Sequence, residues 1–241
     1  MIRTRLAKKN LTRIALASLA IFAIGLQPFV ATADEKESDE GRAGMLYLDY
    51  LVGVTHSPDG TIRGEQGASV GLFGKVRPAP AGYFVGGSLG GYVTDDIRAE
   101  VQVGFRLTEI DRIKAQGENS NAAGSDLSLF TVMYNAYYDF DVDAPVTPWL
   151  GVGIGWGMPQ VDAQNTAGPM QLAINDKDST FVYNVMGGLT YPIADAVDLV
   201  VGYRYLRSLE FDVEGRASGT RERFEYEYEA HEGYTGVRFS F

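Results

Sequence analysis

From residue 150 to residue 157 the chain reads Leu-Gly-Val-Gly-Ile-Gly-Trp-Gly, so Leu150, Val152, Ile154 and Trp156 alternate with four glycines. Only an extended strand places successive side chains on opposite faces. A helix would scatter the four apolar residues around its circumference, and the glycines would weaken it further. The same period of two recurs through the chain, and no stretch sustains a period of 3.6. Eight strands are predicted: Met45–Thr55, Gly82–Val93, Ile97–Ile113, Leu127–Phe140, Pro148–Met158, Thr180–Tyr191, Asp198–Val213 and Glu222–Phe241. Composition agrees, with 29 Gly and 14 Tyr in 241 residues. Cysteine is absent, which excludes disulfides, thiolate metal sites and a Cys nucleophile. The net charge of −10 argues against nucleic acid as a partner, because phosphate contacts need a Lys/Arg surface.

The first 33 residues are set apart from this pattern. Met1 to Arg13 carries Arg3, Arg5, Lys8, Lys9 and Arg13 with no acid, and an apolar run follows from Ile14 to Leu26. The small-residue triplet Ala31-Thr32-Ala33 completes the order of a secretory signal peptide. Residues 1–33 are expected to be removed, 34–41 to form an acidic periplasmic lead-in, and 42–241 to form the folded domain.

The links between strands alternate in length. Those after the second, fourth and sixth strands are short, whereas His56–Ala81, Lys114–Asp126 and Pro159–Ser179 are longer. Short turns on one side and long loops on the other mark a bacterial outer-membrane barrel. The apolar faces run for about 9–11 residues, the span of a tilted transmembrane strand. In lipid every backbone group must be paired, so the sheet has to close on itself. The fold class expected is therefore all-β, an eight-stranded antiparallel transmembrane up-and-down barrel. Tyr83, Tyr134, Tyr138, Trp156, Tyr183, Tyr191 and Tyr203 lie on the apolar face, as aromatic girdles would. A lipocalin-like soluble barrel would hide that face and needs no girdle. A two-sheet sandwich with the polar face in water stays open on pattern alone.

Several segments carry a family likeness. Val132–Phe140 with Thr147–Gly155, Gly187–Tyr191 with Asp198–Leu206, and the terminal Tyr234–Phe241 resemble OmpA-like outer-membrane β-barrel proteins. The resemblance implies location in the outer membrane after export, contact with lipid and lipopolysaccharide, and a monomer. It also implies that Val237, Phe239 and Phe241 form the terminal signal read by the barrel-assembly machinery. OmpA itself continues into a peptidoglycan-binding domain, which nothing after Tyr234–Phe241 resembles, so wall anchoring is not expected.

The face opposite the apolar one carries charges. Asp49, Glu100, Arg106, Arg204 and Arg238 are expected to pair inside the barrel, because an eight-stranded interior is only wide enough for side chains. His56 and His231 are the only histidines, on strands that become neighbours on closure. They read as solvated rim residues rather than a metal or pH-sensing pair. No catalytic, cofactor or metal site is expected. His56 and Ser57 are adjacent and so face opposite sides, which disfavours a lipid-modifying enzyme. The leading function is a non-enzymatic envelope barrel that displays loops, with a possible extracellular ligand; a narrow pore and a lipid-modifying enzyme are the alternatives. The first loop, His56–Ala81, reads as mobile. Apolar parity on the last two strands conflicts above the membrane, so a β-bulge is predicted at Arg207-Ser208 or within Ala230–Gly233.

Overall fold

The computed structural model describes residues 41–64, 73–115, 118–165, 172–217 and 220–241. The proposed signal segment, 1–33, lies outside the described residues. The strands in chain order are β1 (Leu46–His56), β2 (Gly60–Gly64), β3 (Phe73–Pro78), β4 (Gly82–Tyr92), β5 (Ile97–Ala115), β6 (Glu118–Asp139) and β7 (Thr147–Asn165). They continue as β8 (Leu172–Lys177), β9 (Thr180–Ala194), β10 (Val197–Ser208), β11 (Phe211–Ala217), β12 (Thr220–Tyr226) and β13 (Glu229–Ser240).

Eight of these strands close the expected antiparallel barrel, in the order β1, β4, β5, β6, β7, β9, β10, β13 and back to β1. The seam between first and last strand is continuous from Tyr47 opposite Ser240 to His56 opposite His231. Two reciprocal backbone bonds between Leu46 and Phe241, of 3.1 and 2.9 Å, finish its lower end. Closure satisfies both edges, as lipid demands.

The expected loops are more ordered than their composition suggests. The first contains the β2–β3 hairpin, and β3 pairs with β5. The third is an upward extension of β7 with the return strand β8. The last two expected strands prolong into the β11–β12 hairpin. Together these form a second ring: β3, β5, β6, β7, β8, β11, β12, β2 and back to β3. β5, β6 and β7, of 19, 22 and 19 residues, run through both rings. The reading of His56–Ala81 as a mobile loop is corrected for its described part. The Gly-rich composition there serves a hairpin rather than free chain.

Apolar residues change sides between the rings. In the lower ring Val52, Val101, Tyr134, Ile154, Val185 and Val201 point outward and are exposed. The inward positions there mix buried charged and polar side chains with aromatic ones such as Tyr47, Phe84 and Tyr137. Above it, Val76, Ile110, Leu127, Val161, Phe211, Phe224 and Tyr226 turn inward into one buried cluster. Outward positions at that level are Glu109, Asp126 and Glu225, each exposed or half-buried. The lower ring faces hydrocarbon and the upper ring faces water, so the side that excludes water swaps.

The swap is made with an extra residue. Arg207 lies opposite Glu229, while Phe211 lies opposite Tyr226. Three residues on one strand therefore face two on the other. Ser208 continues the ladder by accepting at its Oγ from the Tyr228 amide and donating its own amide to the Tyr228 carbonyl, both at 2.9 Å. The doubled pair is Leu209-Glu210. Leu209 points outward, exposed, and Phe211 points inward, buried. The parity conflict predicted a bulge, but at Arg207-Ser208 or Ala230–Gly233. Both run in register, and the break sits just beyond the first. Even-numbered Phe224, Tyr226, Tyr228, Ala230 and Glu232 are all buried inward, so the last strand never switches. Its apolar residues turn inward because the interior there is apolar.

Candidate functional site

The lower lumen is filled by arginines held between carboxylates and aromatic rings. Asp49 and Arg238, opposite each other on β1 and β13, make two contacts of 2.8 Å. Arg98 donates from Nε to Asp139 at 2.9 Å and from Nη1 to the Tyr47 hydroxyl at 3.2 Å. Glu100 accepts from Tyr137 at 2.7 Å, Asn135 at 3.0 Å, Ser88 at 3.0 Å and Tyr47 at 3.1 Å. Higher up, Glu232 takes the Nε and Nη2 of Arg106 and, at 3.2 Å, the Nη1 of Arg204. Buried charge survives only when it is paired and its remaining protons find partners.

Aromatic faces supply part of that compensation. The Arg98 guanidinium lies 3.8 Å from the Tyr137 ring centre, Arg238 4.0 Å from Tyr47, and Arg106 4.8 Å from Phe84. Arg204 sits 5.0 Å from Tyr234 and 5.1 Å from Phe84. Such cation–π contacts strengthen when desolvated. Strand glycines make room for the rings. A Cβ on Gly188 would lie 2.4 Å from Trp149, and one on Gly202 2.6 Å from Tyr234. Leu51, Phe84, Tyr137, Trp149, Met186, Val200 and Tyr234 pack as one buried cluster across the lumen.

All five charges singled out from sequence, Asp49, Glu100, Arg106, Arg204 and Arg238, are buried in this interior. They form no single network. Asp49 and Arg238 belong to the lower group, and Arg106 and Arg204 to the upper one around Glu232. Sequence reasoning missed Arg98 and Glu232 as members. Strand parity was the signal for both, since Arg98 shares the parity of Glu100 and Glu232 that of Arg238. Of the terminal residues, Phe239 and Phe241 point outward and are exposed, and Val237 is outward and half-buried.

His56 and His231 face each other directly across the seam. Their rings are engaged separately. His56 Nδ1 donates to the Pro80 carbonyl at 2.9 Å, and His231 Nδ1 is 2.7 Å from the Tyr203 hydroxyl. His231 also packs on the Tyr205 ring at 5.3 Å. Ser57 is buried while His56 is exposed, so the two do not act together.

Comparison with known proteins now bears on this architecture. The family described as outer membrane protein beta-barrel domain matches residues 15–241. The chain belongs to that family. It is a bacterial outer-membrane protein, and its apolar belt is the lipid-facing surface of the family's barrel. An uncharacterized protein of Brucella abortus is 38% identical over 89 residues, 34% of this chain and 31% of that protein. The matched region thus spans about a third of the length of the first relatives. Outer membrane protein PagN of Salmonella typhimurium is 26% identical over 213 residues, covering 78% of this chain and 83% of PagN. Among solved structures, the outer membrane protein OprG from Pseudomonas aeruginosa superposes with a TM-score of 0.57 at 11% identity, over 83% of this chain and 97% of OprG. That likeness concerns the fold alone.

Proposed function

We propose that the protein is a non-enzymatic, non-conducting outer-membrane barrel that holds a rigid ring of strands outside the cell as a binding or antigenic surface. The observation that carries this reading is the inversion between the rings. An apolar core above the membrane is what a water-exposed platform needs, and it stands over a lumen already packed with side chains. A pore would instead keep polar walls and open space along its axis. The separate orientations of His56 and Ser57 speak against the lipid-modifying alternative. The ligand is expected to be extracellular and to meet the ring formed by β2, β3, β8, β11 and β12. The outward row Val237, Phe239 and Phe241 is proposed as the signal for the assembly machinery.

Planar-bilayer recording tests the closed lumen. Wild-type protein is expected to give no discrete conductance steps, and steady unitary currents would overturn the reading. Whole-cell binding tests display. Replacing residues 60–78 with a short Gly-Ser linker should abolish attachment to a responsive surface while leaving heat-modifiable migration intact.

A further inference from the structure

Four buried hydroxyls lie inside the barrel, where the charged lumen gives way to the apolar core of the upper ring. Thr55 stands at the upper end of β1 with Ser57 just beyond it, Thr108 is on β5, and Tyr228 lies in the link between β12 and β13. Each is at most 3% exposed. Their neighbourhoods meet at Thr55. A Cβ on Gly82 would fall 2.3 Å from Thr108 Oγ1 and 2.9 Å from Thr55 Cγ2, so both threonines turn into the place that a side chain at 82 would fill. The Thr55 and Ser57 side chains in turn reach the Tyr228 hydroxyl. Yet none of the four oxygens has an aligned hydrogen-bond partner among the described residues. A buried hydroxyl left in that state is costly unless something supplies the missing bond.

The charge beside these hydroxyls is a separate observation. Glu232 lies directly opposite Thr55 across the seam and takes both Arg106 and Arg204. Two guanidiniums against one carboxylate leave one positive charge in surplus at this level. Glu100, whose hydrogen-bond partners are tyrosine, asparagine, serine and glutamine side chains, lies well below on β5. Arg204 Nη2 is likewise buried without a partner, so the guanidinium donors are not all matched.

We infer that the hydroxyls of Thr55, Ser57, Thr108 and Tyr228 form a binding site for one monovalent anion of halide size. Each supplies a single O–H that rotates toward a shared acceptor. A spherical acceptor satisfies all four together. A carboxylate or phosphate asks instead for forked donors, and here Arg106 has already given its fork to Glu232. A cation is disfavoured by the surplus guanidinium charge, which an anion neutralises. The site is independent of the display reading, because it lies inside the barrel and needs no partner at the outer ring.

Urea unfolding of the folded protein in vesicles tests it, with sodium bromide compared against sodium gluconate at equal ionic strength. Gluconate is too large for the site. Bromide is expected to raise the folded-to-unfolded ratio in proportion to its concentration above Kd, about tenfold at ten times Kd. Thr108→Val and Tyr228→Phe each remove one donor at nearly constant shape, and each should raise that Kd roughly tenfold, the scale of one hydrogen bond. Thr190→Val removes another buried hydroxyl without a partner, on β9 toward the opposite end of the lumen, and should respond to bromide as wild type. Heat-modifiable migration confirms that each barrel is intact, and comparing two salts cancels any stability change common to both. A crystal grown in bromide should show an anomalous peak among the four oxygens. Equal stability of the wild type in both salts, or an undiminished bromide response in Thr108→Val and Tyr228→Phe, would overturn the site and leave the hydroxyls to water alone.

Discussion

Arg238 and Asp49 meet on the last and first strands of the barrel, with Nε and Nη2 of the arginine each 2.8 Å from a carboxylate oxygen. Both side chains are almost wholly buried. The pair therefore locks the seam at which the sheet closes, and it does so where water cannot compete. Removing one member leaves a buried charge without its counter-ion, which costs about 3–5 kcal/mol. Arg238→Met and Asp49→Asn should each lower the unfolding free energy by that amount, read as a fall in the urea midpoint of unfolding from vesicles. The double variant should lose much less than the two single losses together, because neither charge is then stranded. Additive losses would show that the pair does not act as a unit.

Trp149 fixes a second prediction. Its ring fits over the Cα atoms of Gly188 and Gly202, and a Cβ on Gly188 would sit 2.4 Å from Trp149 and 2.2 Å from the Val201 carbonyl oxygen. Backbone cannot yield as a flexible side chain does. Gly188→Val should therefore destabilise the barrel by about 1–3 kcal/mol, the usual cost of overpacking. Gly233→Ala should be nearly neutral, since a Cβ there meets nothing within 4 Å. Unfolding midpoints of the two variants compare them directly.

The terminal phenylalanine bears on assembly. Phe241 points outward at the lower end of the seam and is 64% exposed, while the neighbouring Ser240 lies on the opposite face. Phe241→Ala should reduce the yield of folded protein in the outer membrane several-fold more than Ser240→Ala. Quantitative immunoblots of membrane fractions with and without heating read this out.

Much of this was legible in the residues. The alternation of Leu150, Val152, Ile154 and Trp156 with glycine sufficed for strands, and link lengths sufficed for the closed barrel. Lumenal charge was legible as a class because Asp49, Glu100, Arg106, Arg204 and Arg238 all fall on the inward parity. What could not be read was which acid meets which arginine. Arg106 and Glu232 are 126 residues apart, and their contact depends on stagger between strands that parity alone does not fix. The upper ring was missed for a different reason. The strands it adds to the barrel, β2, β3, β8, β11 and β12, are short, and the residues of β2 and β3 resemble loop composition, so pairing with β5 and β12 rather than local propensity makes them strands. The bulge was legible as a conflict between Leu209, Phe211 and their partners. Its position was displaced because apolar residues were assumed to keep one side throughout.

The acidic wall of the upper ring predicts a pH response. Register places Asp126 opposite Glu109 on one side and Asp162 on the other. Partial burial, then Glu109, then Asp162 hold the Asp126 carboxyl above its ordinary value. The folded form thus favours the protonated acid. Its stabilising contribution is fully present below the unfolded value of about 3.9 and is lost as pH rises through the raised one. Carbon-13 NMR titration of the Asp126 carboxyl should give a midpoint above that of a free aspartate, moved downward by Asp162→Asn. Asp126→Asn should slow amide exchange of the upper β6 residues at pH 7 and change little at pH 3.5.

The swap of the water-excluding side is tested most directly by tryptophan fluorescence in bilayers with brominated acyl chains. Three single-tryptophan proteins are needed: one retaining Trp156, one retaining Trp149, and one carrying Phe211→Trp with both native tryptophans replaced by Phe. Trp156 points outward in the lipid belt and Trp149 into the lumen, whereas Phe211 is buried inside the upper ring. Strong quenching of Trp156 is predicted, with little quenching of Trp149 and a blue-shifted, unquenched emission from the residue 211 probe. Quenching of Trp149 by the brominated lipid, or red-shifted emission from residue 211, would contradict the inversion.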